Sequence, residues 1–239
     1  MKKILVTGFP HCGTSILRAK FGEANNIWDQ KIESVYPEDI PHAINNGYKF
    51  YIWKHPLLHK KFRGSDGYAA KNNIPLFSNT DIVSIIRNPY YVLSSFLGKR
   101  AANPYSSPKH TFDAYIEAAT KWLDARDNQY DGIYTIRYED MFLDDYKALW
   151  DIANSIGLEF PIKNFDEKTQ TYVMNGKQYF ETEPEDGFEG AEYRIWQMNQ
   201  EFKNMNNPDK LNLPENIEKL LDESNIVKQL GYSNPKWQI

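Results

Sequence analysis

Cysteine is almost missing from this chain of 239 residues: Cys12 stands alone. A single thiol excludes an internal disulfide and any cysteine-rich zinc site, and it suits a reducing compartment. Long apolar runs are missing too. The opening Met1-Lys2-Lys3-Ile4-Leu5-Val6 starts like a leader peptide, but Thr7-Gly8-Phe9-Pro10-His11 cuts the stretch short, and no later run reaches bilayer-spanning length. A cytoplasmic protein is expected. Nor is there an excess of positive charge. With 28 Lys and Arg against 32 Asp and Glu, the formal charge of -4 gives no bulk attraction for nucleic acid or an anionic membrane, so an anionic ligand needs a local site. What the chain has in quantity is aromatic: 6 Trp, 16 Tyr and 13 Phe. With 41% hydrophobic residues, that content rules out a disordered chain and predicts one large globular domain over 1–239. The mean hydropathy of -0.66 adds generous polar loops.

Short runs rich in Val, Ile and aromatics predict strands at Lys3 to Thr7, Lys49 to Trp53, Asp81 to Ile86 and Ile133 to Arg137. Helical periodicity appears at Thr14 to Ala24, Pro89 to Ala101, Thr111 to Asn128 and Asp144 to Ile156, and again at Glu192 to Lys203 and Pro214 to Leu230. Strands alternating with helices predict an α/β fold, a parallel sheet covered by helices on both faces. The segment from Asn175 to Glu192, rich in Gly, Pro and acid, reads as a flap or an acceptor-side loop. Aromatics over Tyr90 to Phe96 and Trp122 to Tyr130 read as core.

The first strand runs into Gly8-Phe9-Pro10-His11-Cys12-Gly13-Thr14-Ser15, a glycine-bounded loop opening a helix. That layout aims backbone N–H groups at a phosphate, with Thr14 and Ser15 adding hydroxyls. It is close to a Walker A loop but has Thr14 after Gly13 where the lysine would stand, which weakens an ATPase or kinase reading. Two alternatives stay open for the same residues. The glycines could simply permit a tight strand-to-helix turn. Alternatively, His11-Cys12 followed by five residues and Arg18 matches the pattern of cysteine-dependent phosphatases, in which a thiolate at a helix N-terminus attacks phosphorus.

In an open parallel sheet, ligands sit beyond the carboxyl ends of the strands. After the third predicted strand comes Arg87-Asn88-Pro89, with Asn88 suited to cap a helix, Arg87 suited to a phosphate, and Ser95 further along the same helix. After the second comes Trp53-Lys54-His55-Pro56, and after the fourth Arg137-Tyr138-Glu139-Asp140-Met141. His55 and His59 are four apart, but Pro56 breaks that geometry and no third ligand is apparent, so no metal site is predicted.

Together these patches resemble the sulfotransferases that use 3′-phosphoadenosine 5′-phosphosulfate (PAPS). Pro10-His11-Cys12-Gly13-Thr14-Ser15 resembles their 5′-phosphosulfate loop, Arg87-Asn88-Pro89 with Ser95 their 3′-phosphate motif, and Tyr138-Glu139-Asp140-Met141 the segment whose tyrosine approaches the adenine. Arg194, Trp196 and the closing Leu230-Gly231-Tyr232 resemble the ends of bacterial members. The family usually has Lys or Arg where this chain has His11, and Ser where it has Cys12.

The resemblance implies a three-layer P-loop-type fold and sulfuryl transfer from PAPS, leaving the bisphosphate PAP, to a hydroxyl or amine on a small molecule or carbohydrate. It implies no metal, while the charge and the lack of long apolar runs lead us to expect no nucleic-acid partner and no membrane. Pro10, His11, Cys12, Gly13, Thr14, Ser15, Arg87, Ser95 and Tyr138 would hold the nucleotide. Lys54 would neutralise the bridging oxygen, His11 would stand at the position of the usual cation, and Glu33 or His55 would serve as base. A catalytically impaired PAPS- or PAP-binding homologue is the other outcome within the same resemblance.

Overall fold

The computed structural model describes residues 1–30, 34, 36–56, 77, 79–97, 107–160 and 202–235, with the backbone alone of 173–174 and 177–178. Glu33, His59, Arg194, Trp196, most of the expected 192–203 helix and nearly all of the 175–192 segment lie outside the described residues.

Five strands form one wholly parallel sheet: β1 (Lys2–Gly8), β2 (Ile27–Asp29), β3 (Phe50–His55), β4 (Thr80–Ile86) and β5 (Ile133–Arg137). Their order is β2-β3-β1-β4-β5. β1 therefore lies between β3 and β4, and the chain winds away from it to both sides, which opens a crevice at the carboxyl end of β1. The helices are α1 (Thr14–Phe21), α2 (Ile40–Asn45), α3 (Pro89–Leu97), α4 (Pro108–Asn128), α5 (Lys147–Ile156), α6 (Glu215–Glu223) and α7 (Asn225–Gln229). A two-residue hairpin pairs Val173–Met174 with Lys177–Gln178.

The central strands bury both faces, which is why β1 and β4 are largely apolar on both pleats at their centres instead of alternating. Ile4, Val6, Ile52, Val83 and Ile85 pack with Leu17 and Phe21 of α1, Leu93 of α3, Ala119 of α4 and Leu149 of α5. Leu5, Tyr51, Trp53 and Ile82 turn to the other face, onto Ala43 of α2, Phe77 and Ala125. Tyr90, Phe96 and Trp122 are buried as expected, and the Trp122 indole N–H donates to the Ser84 carbonyl at 2.9 Å, tying α4 to β4.

Element boundaries differ from expectation for local reasons. β2 has three residues at the sheet edge, too few to show a period. α4 starts earlier than Thr111, because the Ser107 hydroxyl accepts the His110 N–H at 3.1 Å and Pro108 fills the first turn. Asp144, Asp145 and Tyr146 are all left-handed, so α5 starts at Lys147 and not at Asp144. The expected helix over 214–230 breaks at Ser224, whose extended backbone ends α6 and whose hydroxyl caps α7 at Val227.

Candidate functional site

At the end of β1, the Thr7 hydroxyl donates to the His55 carbonyl at 2.8 Å, closing the sheet beside β3. Gly8 then passes so near β4 that a Cβ there would lie 2.3 Å from the Ile85 carbonyl oxygen. Phe9 is fully buried, edge-on to Phe96 and Tyr115, and the Cys12 N–H returns to the Phe9 carbonyl at 3.2 Å. His11 sits at φ 66 and Gly13 at φ 95, both left-handed. This curl delivers the chain into α1 with the N–H groups of Gly13, Thr14, Ser15 and Ile16 lacking a backbone acceptor among the described residues. These donors, backed by the positive end of the helix dipole, suit an anion.

Two cations reach this loop from the flanking strands. Lys54 belongs to the same pleat of β3 as Ile52, is 6% exposed, and donates its ammonium to the Ser15 hydroxyl. Arg87, just past β4, donates Nη1 to the His11 carbonyl at 3.2 Å and Nε to the Asn206 side-chain oxygen at 2.8 Å. Its guanidinium lies 4.4 Å from the centre of the Tyr138 ring. Tyr138 also covers Gly13, where a Cβ would come within 2.6 Å of the ring, and its hydroxyl accepts the Met205 N–H at 3.1 Å. The tyrosine expected near an adenine is thus a buried wedge between loop and arginine.

Asn88 caps α3 as expected, accepting the Tyr90 N–H at 3.1 Å, while Tyr115 donates to the Arg87 carbonyl at 2.7 Å. Ser95 is exposed and its hydroxyl lies 2.8 Å from His11 Nδ1, with the His11 ring packed on Phe96. The loop, Lys54, Arg87 and Ser95, expected from separate patches, therefore meet at one sheet edge. Glu139 carried no predicted role of its own, yet it takes the Asn88 N–H at 3.0 Å, the Asn206 amide at 2.9 Å and the Tyr232 hydroxyl at 2.7 Å. Its position directly after Tyr138 was a usable signal; Asn206, 119 residues from Arg87, gave none.

Other candidates are not brought together. The pleat of β3 groups His55 with Tyr51 and Trp53, opposite Lys54, so the two adjacent residues do not share a face. The phosphatase reading fails on both its residues. The Cys12 side chain is fully buried in the core, where desolvation pushes its thiol up to about 12 despite the lowering effect of Arg87, the reverse of what a nucleophilic thiolate needs. Cys12 accordingly contributes its backbone to the loop, and its thiol is not placed to hold a nucleotide. Arg18, 2% exposed, is ion-paired with Asp29 and donates to the Gln30 carbonyl, toward the β2 edge. Among the described residues, no group of three or more His, Cys, Asp or Glu gathers to hold a metal, and no helix is long and apolar enough to cross a membrane.

No protein-family model matches this chain, and no curated protein matches it. Solved structures do. The sulfotransferase domain from the curacin biosynthetic pathway aligns with a TM-score of 0.56 at 12% identity, over 98% of this chain and 99% of that one. The sulfotransferase domain of the Synechococcus PCC 7002 olefin synthase gives 0.48 at 16% identity over 70% and 76%, and mouse sulfotransferase SULT7A1, complexed with PAP, gives 0.40 at 18% over 67% and 60%. The full-length alignment with the first, together with the five parallel strands flanked by helices, establishes that this chain has the α/β fold of a sulfotransferase domain.

Proposed function

We propose that residues 1–239 act as a single domain that transfers a sulfuryl group from PAPS to a hydroxyl or amine of a small molecule or carbohydrate, in the cytoplasm and without a metal. The observation that carries this reading is the meeting of two anion-holding groups at one edge: Arg87 from β4 touches the loop whose N–H donors follow β1. The donor set suits the nucleotide. Four open N–H groups and two hydroxyls match a 5′-phosphate, and Arg87, whose Nη2 has no partner among the described residues, matches a second phosphate together with Ser95. When bound, PAPS supplies a sulfuryl group activated by its mixed anhydride with phosphate.

The chain's own residues then have distinct tasks. Pro10 and His11 shape the curl, and the N–H groups of Gly13, Thr14 and Ser15 fix the 5′ end. Lys54, already on the Ser15 hydroxyl, neutralises negative charge growing on the bridging oxygen. His11, beside Ser95, serves as a second donor toward the same charge. For the base, the pleat that turns His55 away from Lys54 favours Glu33, which would take the proton of the acceptor hydroxyl.

Titration calorimetry with PAP beside AMP tests the binding half of this reading. Tighter binding of PAP by at least about tenfold is expected from one added charge-assisted contact. Equal affinities, or no binding of either, overturn it. Labelled-sulfate transfer from PAPS to a panel of acceptors then separates an enzyme from an impaired PAP-binding homologue.

A further inference from the structure

We infer that Asn206 is a positioning residue that keeps Arg87 available for the nucleotide's second phosphate; this deepens, and rests on, the reading above. The Asn206 amide stands between a guanidinium and a carboxylate. Its oxygen accepts Arg87 Nε at 2.8 Å and its nitrogen donates to Glu139 Oε1 at 2.9 Å. Only one orientation of the amide satisfies both, because a guanidinium has nothing but donors and an ionised carboxylate nothing but acceptors. Glu139 is itself held by the Asn88 N–H and by the Tyr232 hydroxyl, so the chain Tyr232, Glu139, Asn206, Arg87 is anchored at its far end.

The spacer has an electrostatic consequence. Without it, the guanidinium and the Glu139 carboxylate have every reason to close into a direct ion pair, which would spend the arginine's charge inside the protein. With it, Arg87 is fixed by one N–H to Asn206, one to the His11 carbonyl and its face on Tyr138. The remaining Nη donors have no partner among the described residues. Met205, the residue before Asn206, donates its N–H to the Tyr138 hydroxyl, so the segment that supplies Asn206 also props the ring under the guanidinium.

The test compares the ratio of PAP to AMP affinity, by calorimetry, in the full chain, in Asn206→Ala, in Arg87→Ala and in the double variant. Asn206→Ala lowers the ratio about tenfold, Arg87→Ala abolishes the preference, and the double variant falls no further than Arg87→Ala alone, since Asn206 acts through Arg87. A folded Asn206→Ala that keeps the wild-type ratio, or losses that add in the double variant, overturns the inference. A wild-type chain with no preference for PAP sinks the functional reading instead, so the two failures are distinct. If Asn206→Ala melts below the assay temperature, Asn206→Asp replaces it. That variant sets a carboxylate directly on Arg87 and loses the amide donor to Glu139, so its ratio falls about tenfold or more; a wild-type ratio in folded Asn206→Asp overturns the proposal.

Discussion

The loop after β1 and the edge after β4 face the same crevice, yet they offer positive potential by opposite means. The first relies chiefly on backbone: left-handed His11 and Gly13 curl the chain so that the N–H groups at the start of α1 lack backbone acceptors among the described residues, and the Cys12 side chain is turned into the core. The second relies on a single side chain, Arg87, steadied by Tyr138, His11 and Asn206. The difference teaches where each is vulnerable. A backbone cradle tolerates changed side chains but not a changed path, whereas the arginine site fails by loss of one group or of its supports.

The sharpest way to break this contrast is Gly8→Ala. The added carbon would meet the Ile85 carbonyl oxygen, a backbone atom of a central strand that cannot step aside. Urea unfolding should show a loss of at least about 3 kcal/mol; a variant near wild-type stability would mean that the loop is not pinned by that approach. Next in size is Lys54→Ala, which should lower kcat for labelled-sulfate transfer roughly 100-fold by removing a preorganised cation beside Ser15. A loss smaller than about threefold would place charge neutralisation elsewhere, with His11 the first alternative. Arg87→Ala should weaken PAP about 30-fold in calorimetry, the scale of one charge-assisted contact. Arg87→Lys should recover little, since a lysine cannot donate to Asn206 and His11 while offering a fork to phosphate.

The smallest effect concerns Cys12 and pH. Its thiol ionises near 9.0 in an unfolded chain and near 12 when buried by folding. The buried neutral thiol therefore contributes stability that is fully present below pH 9 and is lost as pH climbs toward 12. Between pH 8 and pH 10, the wild type should lose roughly 1 kcal/mol more stability than Cys12→Ala in parallel urea titrations. Equal losses would mean that the thiol is open to water. Iodoacetamide at pH 8 should correspondingly leave the native thiol unmodified, and rapid alkylation would reopen the phosphatase reading.

Much of this architecture was legible beforehand, and particular residues show why. Runs such as Ile4-Leu5-Val6 and Ile82-Val83-Ser84-Ile85-Ile86 are apolar on both pleats, which marks central parallel strands. Gly8, Gly13, Asn88 and Pro89 carry conformational preferences that act within a few residues, so loop and cap could be placed at once. The three-residue β2 and the break at Ser224 were not legible, because the first is too short for a period and the second depends on a single extended residue inside an amphipathic run.

Local chemistry along the chain thus decided the strands, the glycine-bounded loop and the residue types available at each strand end, since those depend on neighbours a few positions apart. Tertiary structure alone decided the rest. The order β2-β3-β1-β4-β5 brings Lys54 and Arg87 to either side of one loop, the pleat sends His55 away, and packing hides Cys12 while binding Arg18 to Asp29. The Glu139 and Asn206 contacts belong to the same class. They join groups 67 and 119 residues apart, and a hydrogen bond over that separation exists only once the sheet has set the distance between its partners.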